Sequence, residues 1–179
     1  MKLEALGWDP ALQYHLDELA GALGLDHNEL IGARVVRADG PICRLLGAAG
    51  ELTATVPAAR QRGAPGERPV VGDWCAVAPL AGDTPSYVVH ALLPRRGCLS
   101  RKAAGRAMAV QVVAANIDTV LVVVGLDGDF NPRRIERYLT LATAGDASAV
   151  VVLNKADTCA EWPGAWSWPS GWPMSLCWR

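Results

Sequence analysis

Apolar residues recur in three different rhythms along the chain, and each rhythm predicts a different architecture. In residues 1–29, Leu12, Leu16, Leu19, Ala20 and Leu23 fall at helical spacing behind Asp9-Pro10 and ahead of Gly24. Asp can cap a helix, Pro suits its first position and Gly its end. The stripe is one-sided, so this helix is expected to pack on its own domain; presenting it to a partner is the alternative. From residue 30 to 94 the rhythm shortens. Ile31, Ala33 and Val35 alternate up to Asp39-Gly40-Pro41, and Ile42 to Leu46 follows. Leu52, Ala54 and Val56 alternate before Pro57, and two further runs cover residues 70–77 and 87–93. Five short strands with turns between them predict a small closed barrel, of which the five-stranded OB barrel is a common nucleic-acid-binding version. An SH3-like barrel without a ligand fits the same pattern. Beyond residue 110 the runs are apolar on both faces. A strand over residues 117–124, a helix opened by Asn131-Pro132 and carried by Ile135, Tyr138, Leu139 and Ala142, and a strand over 149–153 make a βαβ unit. Such a unit requires a parallel pair and an α/β domain.

Composition narrows the class. Of 179 residues, 51% are hydrophobic and 20% charged, which is globular and not disordered. The net charge of −1 announces no nucleic-acid partner for the chain as a whole, but charge is unevenly spread. Residues 95–109 carry Arg95, Arg96, Arg101, Lys102 and Arg106 with no acid, and read as a basic linker that could neutralise RNA phosphates. A solvated interdomain linker is the plainer alternative. No apolar run is long enough for a membrane span, and no secretory pattern opens the chain. The five Cys contain no C-x-x-C pair, so reduced thiols in the cytoplasm are expected, with no metal site.

The sharpest chemistry sits at residues 150–157, where Val150-Val151-Val152-Leu153 runs into Asn154-Lys155-Ala156-Asp157. Ligands of open α/β sheets bind just beyond the carboxyl ends of strands. A carboxylate at Asp157 can accept both the ring N–H and the exocyclic amino group of guanine. Asn154 can bond the carbonyl side of the base or brace the loop, and the Lys155 stem can lie over the ring. Analogues that leave such polar groups unpaired are rejected strongly.

The companion motif is missing from these residues. A nucleoside triphosphatase holds phosphates in a Gly-rich loop ending Gly-Lys-Ser/Thr. The chain has three Lys residues, Lys2, Lys102 and Lys155, and none follows Gly. In the usual order that loop precedes the guanine tetrad, yet here the upstream half reads as a barrel. Residues 159–179 then change texture, with five of the seven Trp and three Pro. This tail is expected to be read out of frame or to mark a truncated gene, with a Trp-rich binding surface as the alternative.

On Gly72-Asp73-Trp74, Arg95-Arg96, Arg101-Lys102, Ala115-Asn116-Ile117-Asp118, the helix opening at Asn131 and Leu153-Asn154-Lys155-Ala156-Asp157, the sequence resembles the ribosome small-subunit-dependent GTPase A (RsgA) family of circularly permuted GTPases. The resemblance spans roughly residues 30–158. It implies an OB-like β-barrel followed by an incomplete α/β P-loop-type GTPase domain over residues 110–158. It also implies GTP or GDP with magnesium, a C-terminal zinc domain whose ligands are absent here, and late maturation of the small ribosomal subunit through contacts with its rRNA. A monomer without membrane attachment is expected. Guanine binding carries over to Asn154, Lys155 and Asp157 only. Without a phosphate loop, the chain alone is expected to be inactive; a non-enzymatic RNA-binding module is the alternative. A single βαβ unit cannot cover both faces of a parallel sheet, so residues 110–158 are expected to be marginal or aggregation-prone, while the barrel can fold alone.

Overall fold

A computed structural model describes residues 2–26, 29–63, 66–81, 86–102, 110–127, 130–158 and 176–177. The chain forms two compact units, residues 1–116 and 117–179.

In the first unit, helix α1 (Pro10–Leu23) begins where Asp9 accepts a hydrogen bond from the Leu12 amide at 2.9 Å. It ends at Gly24, whose φ of 66° is left-handed. The barrel follows as β1 (Ile31–Asp39), β2 (Ile42–Gly47), β3 (Gly50–Thr55), a short α2 (Ala58–Gln61), β4 (Trp74–Leu80) and β5 (Ser86–Leu92). Its strand order is β1-β2-β3-β5-β4, closed by β4 against β1. All pairings are antiparallel except β3 with β5, a parallel seam of two registered pairs, Ala54 with Tyr87 and Thr55 with Val88. The five strands match the alternation of the sequence, and closure leaves the sheet without a free edge.

The central strand is β4, because it is buried on both faces. Cys75 and Val77 point into the barrel with Ala33, Val35, Leu45, Val56 and Val89. Trp74, Ala76 and Ala78 point out, into a second core with Trp8, Leu12, Leu16 and Ala20. The α1 stripe therefore packs on its own domain, and Trp8 meets Trp74 edge to face at 4.8 Å between ring centroids. Burial pushes the Cys43 thiol up to about 11 and the Cys75 thiol well above its ordinary value, so both stay neutral packing groups.

Part of the stretch expected as a linker, residues 95–109, is a strand. Strand β6 (Cys98–Lys102) pairs antiparallel with β7 (Val110–Ala115), and the first unit closes at Asn116. β7 thus belongs with the barrel unit, and not with the α/β unit as its apolar texture suggests. The tie runs through residues 70–73. The Ala115 amide donates to the Val71 carbonyl at 2.9 Å, and the Gly72 amide donates to the Val35 carbonyl at 2.9 Å. Gly72 sits at φ 92°, and a Cβ there would overlap the Ala115 carbonyl oxygen.

In the second unit, β8 (Thr119–Gly125), α3 (Pro132–Ala144) and β9 (Ser148–Asn154) form the expected parallel βαβ unit. Asn131 caps α3 by accepting from the Arg134 amide. Ile135 is fully buried against Val122, Val124, Val151 and Leu153. The other face of β8 is open: Leu121 is 63% and Val123 61% exposed. Within the tail, strand β10 (Leu176–Cys177) adds to β9 in parallel; residues 159–175, with four of the five tail Trp, lie outside the described residues.

Replacing Gly72 with Ala combines a left-handed backbone with a backbone collision, each unfavourable for an L side chain. G72A is expected to lower the unfolding free energy of the first unit by at least about 2 kcal/mol. Urea unfolding followed by Trp fluorescence measures it, Trp74 being buried beside the substituted turn.

Candidate functional site

The tetrad stands where the parallel strands end. β9 finishes at Asn154, which is in register with Gly125 at the end of β8. The Leu126 amide donates to the Asn154 carbonyl at 2.9 Å and so joins the two strand-end loops. Lys155 then takes a left-handed φ of 58° and the chain turns through a short 3₁₀ segment, Ala156–Thr158. Asn154 Oδ1 accepts the Lys155 amide at 2.9 Å, the bracing role open to it from the sequence. This leaves its Nδ2 as the group that can donate to a base. Thr158 Oγ1 donates to the Lys155 carbonyl at 2.8 Å and steadies the turn. The Lys155 ammonium forms an ion pair with Asp127, in the loop after β8. Asn154, Lys155 and Asp157 all face solvent. Asp127 was not among the residues singled out from sequence; its partner lies 28 positions on, and nothing local announces the pair.

The basic residues fall into three groups. Arg95 is buried to 17% exposure and clasps Asp73, which is fully buried. Its Nε donates to Asp73 Oδ1 at 2.6 Å and its Nη2 to Oδ2 at 2.7 Å. The Val70 amide supplies a third donor to that carboxylate at 2.8 Å. Donating these hydrogen bonds to Asp73 holds the Arg95 guanidinium charged beyond its ordinary range. Expected as an RNA contact, Arg95 is instead engaged as a clasp inside the first unit. The exposed Arg96 gives its amide to Asn116 Oδ1 at 2.9 Å. Asn116, itself buried, donates from Nδ2 to the Gly72 carbonyl at 3.0 Å and accepts Arg34 Nη2 at 2.7 Å on its own carbonyl. Arg101 is exposed and lines a groove of about 590 Å³ with Arg68, Gln61, Gln111 and Val70. Lys102 lies on β6, and Arg106 falls outside the described residues.

Among the described residues no group of three or more His, Cys, Asp or Glu could hold a metal ion, and no helix is long and apolar enough to cross a membrane.

Residues 92–165 match the family model of the RsgA GTPase. The small ribosomal subunit biogenesis GTPase RsgA of Syntrophotalea carbinolica is 38% identical over 170 residues, covering 90% of this chain and 44% of that protein. The protein of the same name from Opitutus terrae is 44% identical over 175 residues, covering 92% and 46%. Among solved structures, YloQ, a circularly permuted GTPase, aligns with a TM-score of 0.54 at 16% identity, over 75% of this chain and 44% of its own. YjeQ from Thermotoga maritima aligns with a TM-score of 0.53 at 21% identity, over 72% and 42%. The chain thus spans somewhat less than half the length of these two relatives, and the structural likeness is one of fold.

Removing the Arg95 side chain would leave the Asp73 carboxylate buried without its counter-ion. R95A is expected to cost about 3–5 kcal/mol of stability, whereas R101A, at an exposed position, should change it by no more than about 0.5 kcal/mol. Chemical denaturation of the two variants side by side distinguishes a clasp from a surface charge.

Proposed function

We propose that the chain, which is similar to RsgA GTPases over less than half of their length, recognises guanine nucleotides in its second unit and small-subunit rRNA in its first. The single observation that supports the guanine reading is the placement of the tetrad. Its three functional side chains are solvent-facing at the carboxyl end of a parallel strand, on a loop braced by Asn154 Oδ1 and joined to the neighbouring strand end. Asp157 accepts from the ring N–H and the exocyclic amino group of the base. Asn154 Nδ2 donates to the carbonyl side, and the Lys155 stem provides an apolar floor. Adenine offers Asp157 neither donor on that edge.

GTP or GDP is the ligand this arrangement suits, and its phosphates would be held by groups outside these 179 residues. The chain alone therefore binds the nucleotide weakly, through the base, and does not position a water for hydrolysis. Hydrolysis of GTP, the magnesium that accompanies it and a zinc domain belong to this proposal only as properties of the longer family members. The protein acts in the cytoplasm as a monomer, on the maturing small ribosomal subunit. Arg96, Arg101, Lys102 and Arg106 supply phosphate contacts, and Arg95 holds the fold that presents them. The groove beside Arg101 favours this reading, since it sets exposed cations next to a surface a nucleic-acid strand can enter.

Asp157→Asn exchanges an acceptor for a donor on the discriminating edge. Calorimetric titration of the full chain should show GDP preferred over ADP, with D157N losing tenfold or more of the GDP affinity, as expected for hydrogen bonds to a charged group. Xanthosine diphosphate, which carries a carbonyl in place of the amino group, should gain affinity for D157N. Equal binding of GDP and ADP by the parent chain would remove the guanine reading.

Binding of a small-subunit rRNA fragment should weaken steeply with salt. Arg101→Ala and Lys102→Ala should each reduce the slope of log affinity against log salt by about one, and D157N should leave it unchanged. A salt-independent interaction, or none, would remove the RNA half of the proposal.

A further inference from the structure

The loop after β8 has no assigned part in the guanine site, yet it holds a residue that anchors the Lys155 head group. Lys155 leaves the end of β9, and Asp127 leaves the end of β8. The two strands are parallel neighbours whose last residues, Gly125 and Asn154, are in register. The ion pair between the Lys155 ammonium and the Asp127 carboxylate therefore ties the end of one strand to the loop leaving the other. Three features fix this arrangement. The left-handed Lys155 backbone directs the side chain, the Leu126 amide bonds the Asn154 carbonyl at 2.9 Å, and Gly125 leaves room for the Asp127 carboxylate. A Cβ at Gly125 would stand 2.8 Å from Asp127 Oδ1. The acidic side chain thus folds back over a residue with no side chain of its own.

We propose that Asp127 is a positioning residue of the guanine site, acting through Lys155. By holding the ammonium it stretches the lysine methylenes into a preformed floor on which a purine can lie. The inference rests on the guanine reading of the tetrad and adds a residue to it. A free lysine side chain loses rotamer freedom when a ligand packs on it, and one already anchored loses less. Asp127 should therefore raise affinity for the purine ring without choosing between purines, because discrimination belongs to the edge that Asp157 meets. That division separates the two roles.

The test uses the full chain and two uncharged nucleosides, guanosine and inosine, the second lacking the exocyclic amino group. Titrations are followed by NMR so that the folded state of each variant is seen in the same spectra. Asp127→Ala is expected to weaken guanosine binding about three- to tenfold with the guanosine-to-inosine ratio unchanged, and Asp127→Glu to recover part of the loss. Lys155→Met, which keeps an apolar stem without the charge, should match Asp127→Ala, and the double variant should be no worse than either. Added salt should weaken guanosine binding by the parent chain toward the Asp127→Ala level and leave that variant unaffected, since the ligand itself carries no charge. Unchanged guanosine affinity in Asp127→Ala, with the parent still preferring guanosine to inosine, overturns the role of Asp127 and leaves the guanine site standing. A parent chain without that preference overturns both.

Discussion

The first unit hangs on a buried carboxylate and its guanidinium. Asp73 is out of reach of water, and a bare charge there would be prohibitive. Arg95 meets it with two parallel hydrogen bonds and the Val70 amide adds a third, so the desolvated oxygens are matched by fixed donors. That geometry holds the turn ahead of β4 in the one conformation that lets Gly72 bond β1 on one side while Val71 bonds β7 on the other. The barrel, the α1 layer and the β6–β7 pair are joined at that turn. Asn116 repeats the arrangement on a smaller scale, its buried side-chain amide joining Gly72 to Arg96 while its backbone carbonyl accepts from Arg34. A short Gly-Asp-Trp string thus couples three layers: a glycine for contact, a carboxylate for the clasp, and an indole for the second core.

Features set by neighbours in sequence are the ones the sequence reveals. The Asp9 cap, the Gly24 stop, the five alternating strands and the Asn131 cap each depend on residues within a few positions, and each appears where periodicity places it. The β6–β7 pair does not. Five cations and two glycines between residues 94 and 106 look like a solvated connection; the strand there exists because residues 110–115 and the Gly72 turn lie beside it. The same distance hides the partners of Arg95 and Lys155. A guanidinium in a basic run gives no sign of the carboxylate 22 positions away, and Lys155 none of Asp127, 28 positions away. Motif chemistry could nominate Asn154, Lys155 and Asp157 because their residue types and spacing are read within one short string, whereas groups that act by holding another group are visible only in three dimensions.

The second unit carries the tetrad loop on a small framework. In it β8, β9 and α3 bury one apolar face with Ile135 at its centre, and the in-register pairing of β8 with β9 sets two strand ends side by side. Leu121 and Val123 on the reverse face contribute nothing to that core. One crossover helix can cover only one side of a parallel pair.

The barrel is closed by its least supported joint. β1 with β2, and β2 with β3, are hairpins of long register, but β3 meets β5 through two residue pairs separated by more than thirty positions of chain. Loop-closure entropy makes such a contact late to form and early to lose. The amides of Thr55 and Val88 should thus exchange with solvent through local opening while β4, packed on both sides, remains protected until the whole unit unfolds. A cylinder in topology, the domain in its fluctuations behaves as a curled sheet with a clasped slit.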